Sequence, residues 1–252
     1  MIPRFSCALN GVTPQSIDPA LCLTDVTELP PRRRVSSVPT VRHGLMLLRR
    51  VRESLTVRLR FLIPEYDPVR RRALAQKLHA WASPGGLLTT SDRPGQQLRV
   101  ICDTLPLLSA MSWSDELEID LTACRVPFWE YAEETRVVTG SAAILTLPGD
   151  AEEIPVACEV TNLGTAALTD LTLVCGDTRM TFSGLALAPG DKLALSADGD
   201  LLRAETTDGS VLLHRTADSS DLLLADGGVQ TAVSVTASQP VQAVFHARGR
   251  LL

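Results

Sequence analysis

Apolar and polar residues alternate along several short stretches of the chain, which is the pattern of half-buried antiparallel strands. In LTVRLRF (55–61) the leucines, valine and phenylalanine fall on one face, while Thr56, Arg58 and Arg60 fall on the other. The segment LRVIC (98–102) fits the same template, and ELEIDL (116–121) repeats it with acids on the polar face. These segments predict a sheet with one buried face and one solvent face.

One segment, DPVRRRALAQKLHAWASPGG (67–86), predicts a helix. Asp67 suits the N-cap, Pro68 suits the first helical position, and Pro84 follows the expected end. The residues expected on the buried face of this helix are Ala73, Leu74, Leu78, Trp81 and Ala82. The first part of the chain therefore reads as strands packed on one amphipathic helix.

After about Arg136 the chain becomes a series of short apolar strands separated by turns such as PGD, DGD and DGG. The predicted strands are 154–160, 168–175, 179–187, 192–196, 210–214, 229–235 and 240–247. Strands at this spacing indicate a β-sandwich or jelly roll. We expect a mainly β protein with two domains, residues 1–134 and residues 135–252.

The segment PPRRRVSSVPTVRHG (30–44) differs from both parts. Its prolines, paired serines and arginine triplet do not suit a central strand, so we expect an exposed arm or a long loop. Arg32, Arg33 and Arg34 fit a solvated basic loop, or an arm that reaches a neighbouring subunit. In the second case they would meet an acidic row such as Glu116, Glu118 and Asp120.

Charge is distributed unevenly along the chain. Residues 1–134 carry 17 basic and 15 acidic side chains, a net charge of +2, whereas the remainder carries 7 and 14, a net charge of -7. Such asymmetry indicates separate surfaces with separate partners. It does not indicate DNA binding, because a nucleic-acid footprint is concentrated and strongly basic.

The six cysteines include no Cys-x-x-Cys pair and no histidine at ligand spacing, so we expect free thiols and no metal ion. The start, MIPRFSCALNG, lacks an apolar signal region, and no uncharged apolar run approaches the ~18 residues that span a bilayer. We therefore expect a protein that is made in the cytoplasm, stays soluble and has no membrane segment.

Motifs for catalysis are absent from the sequence. It contains no glycine-rich phosphate loop, no G-x-S-x-G elbow and no His-x-x-x-His pair, and its four histidines are scattered. Asp115 and Glu116 are adjacent, but in a strand they face opposite sides and cannot share a proton. We expect no enzyme activity, no catalytic residue and no cofactor.

The stretch ACRVPFWEYAEE (123–134) concentrates three aromatic residues, Phe128, Trp129 and Tyr131. A cofactor pocket, a metal site beside Cys124, a sugar platform and the packed corner of a domain would all use such side chains. A sugar platform in the second part is disfavoured, because that part has no tryptophan or tyrosine after Tyr131. A carbohydrate-binding adhesin module remains the alternative function.

In order along the chain, several pieces resemble the distal tail protein (Dit) family of long-tailed bacteriophages. They are NGV (10–12), a proline-containing arm ending at Gly44, ESLTVRLRFLI (53–63), HAWASPGGLLTTSDRPGQQLRV (79–100), MSWSDELEIDLTACRVPFWEY (111–131) and LLHRTADSSDLLLADGGVQTAVSV (212–235). Together they span nearly the whole chain, and they are densest from Leu78 to Tyr131.

The resemblance implies an N-terminal domain that forms a ring, typically of six subunits, and a C-terminal β-sandwich of jelly-roll or galectin-like type. It implies a hub in the virion tail that joins the tail tube to tip or baseplate proteins, is assembled in the bacterial cytoplasm, and leaves a channel through which DNA passes without specific binding. Family members often have aromatic-rich sandwich loops, which this acidic, aromatic-poor second part lacks.

The family resemblance suggests a structural role for each group of candidate site residues. We expect Phe128, Trp129 and Tyr131 to close the core of the first domain where the chain crosses to the second. Glu116, Glu118 and Asp120 would either receive the arginine arm of a neighbour or form an acidic channel wall that repels DNA phosphates.

Overall fold

The computed structural model describes residues 5–29, 33–39, 45–52, 54–102, 115–140, 142–198, 201–206 and 209–251. Contacts divide the chain into two units, Met1–Trp129 and Glu130–Leu252. Most of the described residues lie in antiparallel strands, so the prediction of a mainly β protein is confirmed.

The described residues of the first unit form two helices and eight strands. The helices are α1 (Pro14–Ile17) and α2 (Pro68–Ala82). The strands are β1 (Cys7–Leu9), β2 (Cys22–Leu29), β3 (Arg33–Pro39), β4 (Leu45–Arg52), β5 (Thr56–Ile63), β6 (Gly86–Thr90), β7 (Leu98–Cys102) and β8 (Asp115–Ala123). Six of them form one antiparallel sheet in the order β1-β6-β7-β8-β5-β2.

Strands β5 and β8 form the centre of this sheet and show the predicted alternation. The side chains of Val57, Leu59, Phe61 and Ile63 are all buried, as are those of Leu117, Ile119 and Leu121 on β8. The register pairs Arg58 with Asp120 and Arg60 with Glu118 on the opposite, polar face. One face of the sheet therefore packs into the core, and the other carries charged side chains.

Helix α2 covers the buried face of the sheet. Asp67 is its N-cap, with a carboxylate oxygen accepting from the Val69 backbone N–H at 2.9 Å, and Pro68 is the first helical residue, as predicted. Trp81 packs edge-on against Phe61, with ring centroids 6.2 Å apart.

The predicted buried face of α2 is wrong at one position. Ala73 is exposed, whereas Ala75 and Arg71 are buried, and Arg71 is only 4% exposed. Because successive helical residues are about 100° apart, the buried stripe follows 71, 74, 75, 78, 81 and 82 and leaves Ala73 outside it. The sequence pattern predicted burial of Ala73, which is exposed, and did not predict burial of Arg71.

Within the described residues, strands β3 and β4 pair with each other and form a separate two-stranded sheet. Their ladder runs from Arg33 opposite Arg52 to Pro39 opposite Leu45, with an irregularity between Ser36 and Ser37. Residues 33–39 of the segment that was expected to be an arm or loop therefore form a strand. Pairing with β4 gives the backbone of these residues hydrogen-bond partners. The remaining parts of the predicted arm, 30–32 and 40–44, lie outside the described residues.

The second unit is built from twelve further strands, of which the first begins one residue before the unit does. They are β9 (Trp129–Val138), β10 (Ala143–Thr146), β11 (Ile154–Pro155), β12 (Ala157–Asn162), β13 (Leu168–Cys175), β14 (Thr178–Leu187), β15 (Lys192–Asp198), β16 (Leu201–Thr206), β17 (Gly209–Ser210), β18 (Leu224–Ala225), β19 (Gln230–Ala237) and β20 (Val241–Leu251). The predicted domain boundary after residue 134 falls inside β9.

Two sheets of this unit enclose one apolar core. Their strand orders are β10-β19-β13-β14 and β17-β16-β15-β12-β20-β9, and β11 and β18 form a short pair beside them. Phe182 and Phe245, one from each sheet, are fully buried in the shared core. Such packing is that of a β-sandwich.

One predicted strand of the sandwich is wrong. Residues 210–214 were expected to be extended, but β17 ends at Ser210 and Leu212–His214 is a 3₁₀ turn. The backbone N–H of His214 donates to the Val211 carbonyl and that of Arg215 to the Leu212 carbonyl, so local bonds replace a ladder. The residue pattern of such a short apolar segment fits both a strand and a 3₁₀ turn, so it did not predict which of the two forms.

Among the described helices, none combines the length and the apolar character required to cross a membrane.

Candidate functional site

The polar face of β5 and β8 carries a ladder of ion pairs. Arg58 donates from Nε to one carboxylate oxygen of Asp120 at 2.7 Å and from Nη2 to the other at 2.9 Å. Arg60 donates from Nε and Nη2 to Oε1 of Glu118 at 3.0 and 2.8 Å. The Arg58 Nη1 atom also lies 3.4 Å from Oε2 of Glu118.

This ladder changes the interpretation of the predicted acidic row. Glu118 and Asp120 have partners within the same chain, and the hydrogen bond from Arg58 holds the pKa of Asp120 below its usual range. Of the three acids only Glu116 is exposed, and Glu118 and Asp120 are half-buried. The face is therefore charged but locally balanced, which weakens the basis for an acidic channel wall.

The arginine triplet is only partly described. Arg32 lies outside the described residues, and Arg33 and Arg34 are described as the first two backbone positions of β3, opposite Arg52 and Val51 of β4. The structure thus places Arg33 opposite another arginine position, Arg52. Its pairing with the acids of another copy stays a prediction.

The three aromatic residues occupy different environments. Trp129 is buried, with 2% of its surface exposed, whereas Phe128 and Tyr131 are half-buried. Trp129 ends the first unit, and Tyr131 already belongs to β9 within the second. A common role for all three in closing the first core stays a prediction.

Arg93, which the sequence interpretation did not select, lies beside Trp129. Its guanidinium carbon is 5.4 Å from the centre of the Trp129 ring, a cation–π distance. The same guanidinium pairs with Glu28 of β2, through Nε to Oε1 and through Nη2 to Oε2 at 2.8 Å. The stretch SDRPG (91–95) belongs to a piece that carries the family resemblance, but nothing in it indicated a contact between Arg93 and Trp129.

A second cluster joins the early NGV motif to the end of α2. The Asn10 amide nitrogen donates to the Gly85 carbonyl at 3.0 Å, and its oxygen accepts from the Leu87 backbone N–H at 2.9 Å. The Trp81 indole N–H donates to the Val12 carbonyl at 2.8 Å. Two of the pieces that carry the family resemblance, 10–12 and 79–100, are therefore connected by hydrogen bonds between side chains and backbone atoms.

The second unit contains an open cavity of about 590 Å³ at one end of its strands. Its polar side chains are those of Thr139, Thr236, Ser238 and Gln239, and Leu163 and Pro240 add apolar surface. The lining has neither a charged nor an aromatic residue. The cavity could hold a small neutral molecule, but it lacks the ring platform on which sugars usually stack.

The described residues offer no constellation for metal or thiol chemistry. They contain no group of three histidines, cysteines or carboxylates that could hold a metal ion, and none of the six cysteines forms a disulfide bond. Burial raises the pKa of the Cys7 and Cys175 thiols to about 12, and it raises that of Cys158 as well. Thiols in such surroundings behave as small apolar side chains.

Comparison with known proteins gives one informative likeness. The fold matches the crystal structure of the SPP1 Dit protein, described as "a Paradigm of Hub Adsorption Apparatus in Gram-positive Infecting Phages", with a TM-score of 0.69 and 13% sequence identity. The match covers 97% of this chain and 98% of that one. It confirms the resemblance to the distal tail family at the level of the fold.

Two structures of the phage P2 baseplate in its activated conformation, one with Ca and one with Sr, match less well. Their TM-scores are 0.47 and 0.43, at 7% and 6% identity. The first covers 99% of this chain and 98% of its own, and the second covers 97% of each. Values this low do not establish a shared fold. No protein-family model matches the sequence, and no curated protein matches it.

Proposed function

We propose that this chain is a structural protein of a phage tail tip, whose first units assemble into a ring of six. The ring joins the tail tube to tip or baseplate proteins and leaves a central channel for DNA. The observation that carries this proposal is the fold shared with the SPP1 Dit protein over nearly the full length of both chains. A likeness of that extent includes both units.

The first unit has features that suit repeated contacts between copies. Helix α2 covers one face of its sheet, and the other face carries cross-strand ion pairs that are about one-third exposed. Exposed pairs of this kind contribute little to stability. They do hold charged side chains in fixed positions, which favours specific registration with a second surface.

The basic segment that contains β3 and β4 supports contacts of an electrostatic kind. Residues 30–52 hold seven arginines and no acidic residue. The rest of the chain then has 17 basic and 29 acidic side chains, a net charge of -12. A second copy is therefore an acidic partner for this segment, and their attraction would accelerate encounter.

In this role the protein needs no catalytic residue and no cofactor. DNA would pass through the channel without specific binding, and the protein would reside in the virion tail after assembly in the bacterial cytoplasm. Glu116 is the one exposed acid of the predicted row that could add negative charge to a channel wall.

Light scattering of the purified full chain tests the proposal. We expect a closed oligomer with a mass near six times 27.1 kDa. A monomer over the whole range of concentration and salt would contradict it.

A carbohydrate-binding adhesin is the second candidate, and the cavity in the second unit is the observation in its favour. The hydroxyls of Thr139, Thr236 and Ser238 could hydrogen-bond a sugar. The absence of an aromatic residue from the lining ranks this function below the first. A monomer that is retained on a glycan array would reverse the order.

A further inference from the structure

The loop between β5 and α2 and the first turn of α2 each display one large apolar side chain to solvent. Tyr66 is 77% exposed and Val69 is 76% exposed, the largest fractions among the large apolar residues that the structure describes. Exposed apolar surface of this kind marks interaction sites, and tyrosine is enriched among the residues that dominate binding energy. Residues 64–69 are called the apolar loop below.

The apolar loop is held rigidly in place. The Glu65 backbone N–H donates to the Ile63 carbonyl at 2.9 Å, and the Asp67 backbone N–H donates to the Glu65 carboxylate at 3.0 Å. Pro64 and Pro68 restrict the backbone on either side of Tyr66. The fold therefore orders this loop before any binding, which lowers the entropy cost of placing it in an interface.

Charges of both signs lie in and beside the apolar loop. Glu65 and Asp67 belong to it, and α2 follows with Arg70 and Arg72, which are exposed. A partner surface that accepts Tyr66 and Val69 must therefore combine apolar groups with charged groups, including carboxylates for the two arginines.

The outer face of the same sheet offers that combination. The register places Leu29, Thr56, Thr122 and Ile101 side by side across β2, β5, β8 and β7, and we call these four residues the outer row. Leu29 is 39% exposed and Ile101 is 44% exposed. Asp120, Glu118 and Glu116 follow Thr122 along the same face of β8, because side chains two apart share a face. Asp120 and Glu118 are paired with Arg58 and Arg60, whereas Glu116 is exposed, so this face also presents charges of both signs.

We propose that the apolar loop of one copy packs onto the outer row of the next copy. The inference rests on the proposed ring and names its contact. Helix α2 lies against the buried face of the sheet and the outer row lies on the opposite face, so the two surfaces are on opposite sides of one unit. Contacts between unlike surfaces leave each copy able to bind another, which generates rings.

Two double variants test the contact in the full-length protein. The change Tyr66→Ser with Val69→Ser removes the loop surface, and Leu29→Ser with Ile101→Ser removes the row. All four side chains are exposed, so each variant should keep the melting temperature of the wild type within a few degrees. Each should raise the concentration at which subunits dissociate by about tenfold or more, as measured by mass photometry. Val229→Ser, an exposed change in the second unit, is the matched control and should leave assembly unchanged.

Mixing the two double variants gives the sharper result. Each variant retains the surface that the other lacks, so one intact contact can form between them. At a concentration where either variant alone is monomeric, the mixture should form a dimer near twice 27.1 kDa and nothing larger. Misfolding of either variant would not produce this dimer.

The outcomes separate the two proposals. If the wild type forms rings and both variants form them equally well, the inference is overturned and the proposed function stands. Variants that dissociate but form no dimer when mixed also overturn it. A wild type that never assembles overturns the proposed function and this contact together.

Discussion

Trp129 combines burial of a large ring, a cation over its face and a buried indole N–H for which the described residues provide no hydrogen-bond partner. The first two features stabilise the fold, and the third costs energy. Arg93 can take this position because Glu28 balances its charge. The indole ring of Trp129 therefore packs against a guanidinium that also links the SDRPG segment to β2.

We predict that Trp129→Ala lowers the free energy of unfolding by about 3 kcal/mol or more, because it leaves a large cavity in a packed region. Urea unfolding followed by circular dichroism measures the change. Tyr66→Ala, which also removes an aromatic ring but from an exposed site, is the control and should shift the midpoint little. An unchanged midpoint for Trp129→Ala would refute the structural role.

Asp120 gives a prediction about pH. Its pKa is lowered from 3.8 by the hydrogen bond from Arg58, so the folded state favours the ionised form. The resulting stabilisation is present above about pH 3.8 and disappears as the pH falls through the lower folded-state pKa. Asp120→Asn should therefore lower the melting temperature at pH 7, and the difference from the wild type should shrink toward pH 2.

Glu116→Gln is the control for this series, since Glu116 is exposed on the same strand. A difference between Asp120→Asn and the wild type that stays constant from pH 7 to pH 2 would show that the Arg58 pair does not cause it.

Asn10, which follows β1, connects the NGV motif to the residues that follow α2. Asn10 has a positive φ of 53° and uses both ends of its amide to hold Gly85 and Leu87. A Cβ on Gly86 would lie 2.1 to 2.5 Å from that amide. Glycine is required there because the Asn10 side chain occupies the space.

We predict non-additive effects of Asn10→Ala and Gly86→Ala. Asn10→Ala loses two hydrogen bonds and should cost about 1 to 3 kcal/mol of unfolding free energy. Gly86→Ala should cost at least as much, because its φ of 134° is unfavourable and its new methyl group meets Asn10. The double variant should lose less than the sum, since shortening Asn10 removes the clash. Additive losses in a double-mutant cycle would contradict this.

The sequence predicted elements where local patterns determine them. Strands 98–102 and 168–175 were predicted to the residue, and Asp67 and Pro68 marked the start of α2. Partners set by long-range register were not predictable. Nothing local indicates that Asp120 faces Arg58, 62 positions away, and so the acidic row was expected to be available to other partners.

At the scale of the whole molecule, charge is divided between the two units. Residues 1–129 have 17 basic and 12 acidic side chains, a net charge of +5, and residues 130–252 have 7 and 17, a net charge of -10. Neighbouring copies in the proposed ring would therefore attract one another, although the whole chain has a net charge of -5. High salt should slow ring formation more than it weakens the apolar contact.

Electron microscopy of the purified protein tests the central claim most directly. Class averages should show closed rings of six subunits with an open centre. Fields that contain only single 27.1 kDa particles, at every concentration and salt tried, would contradict the account.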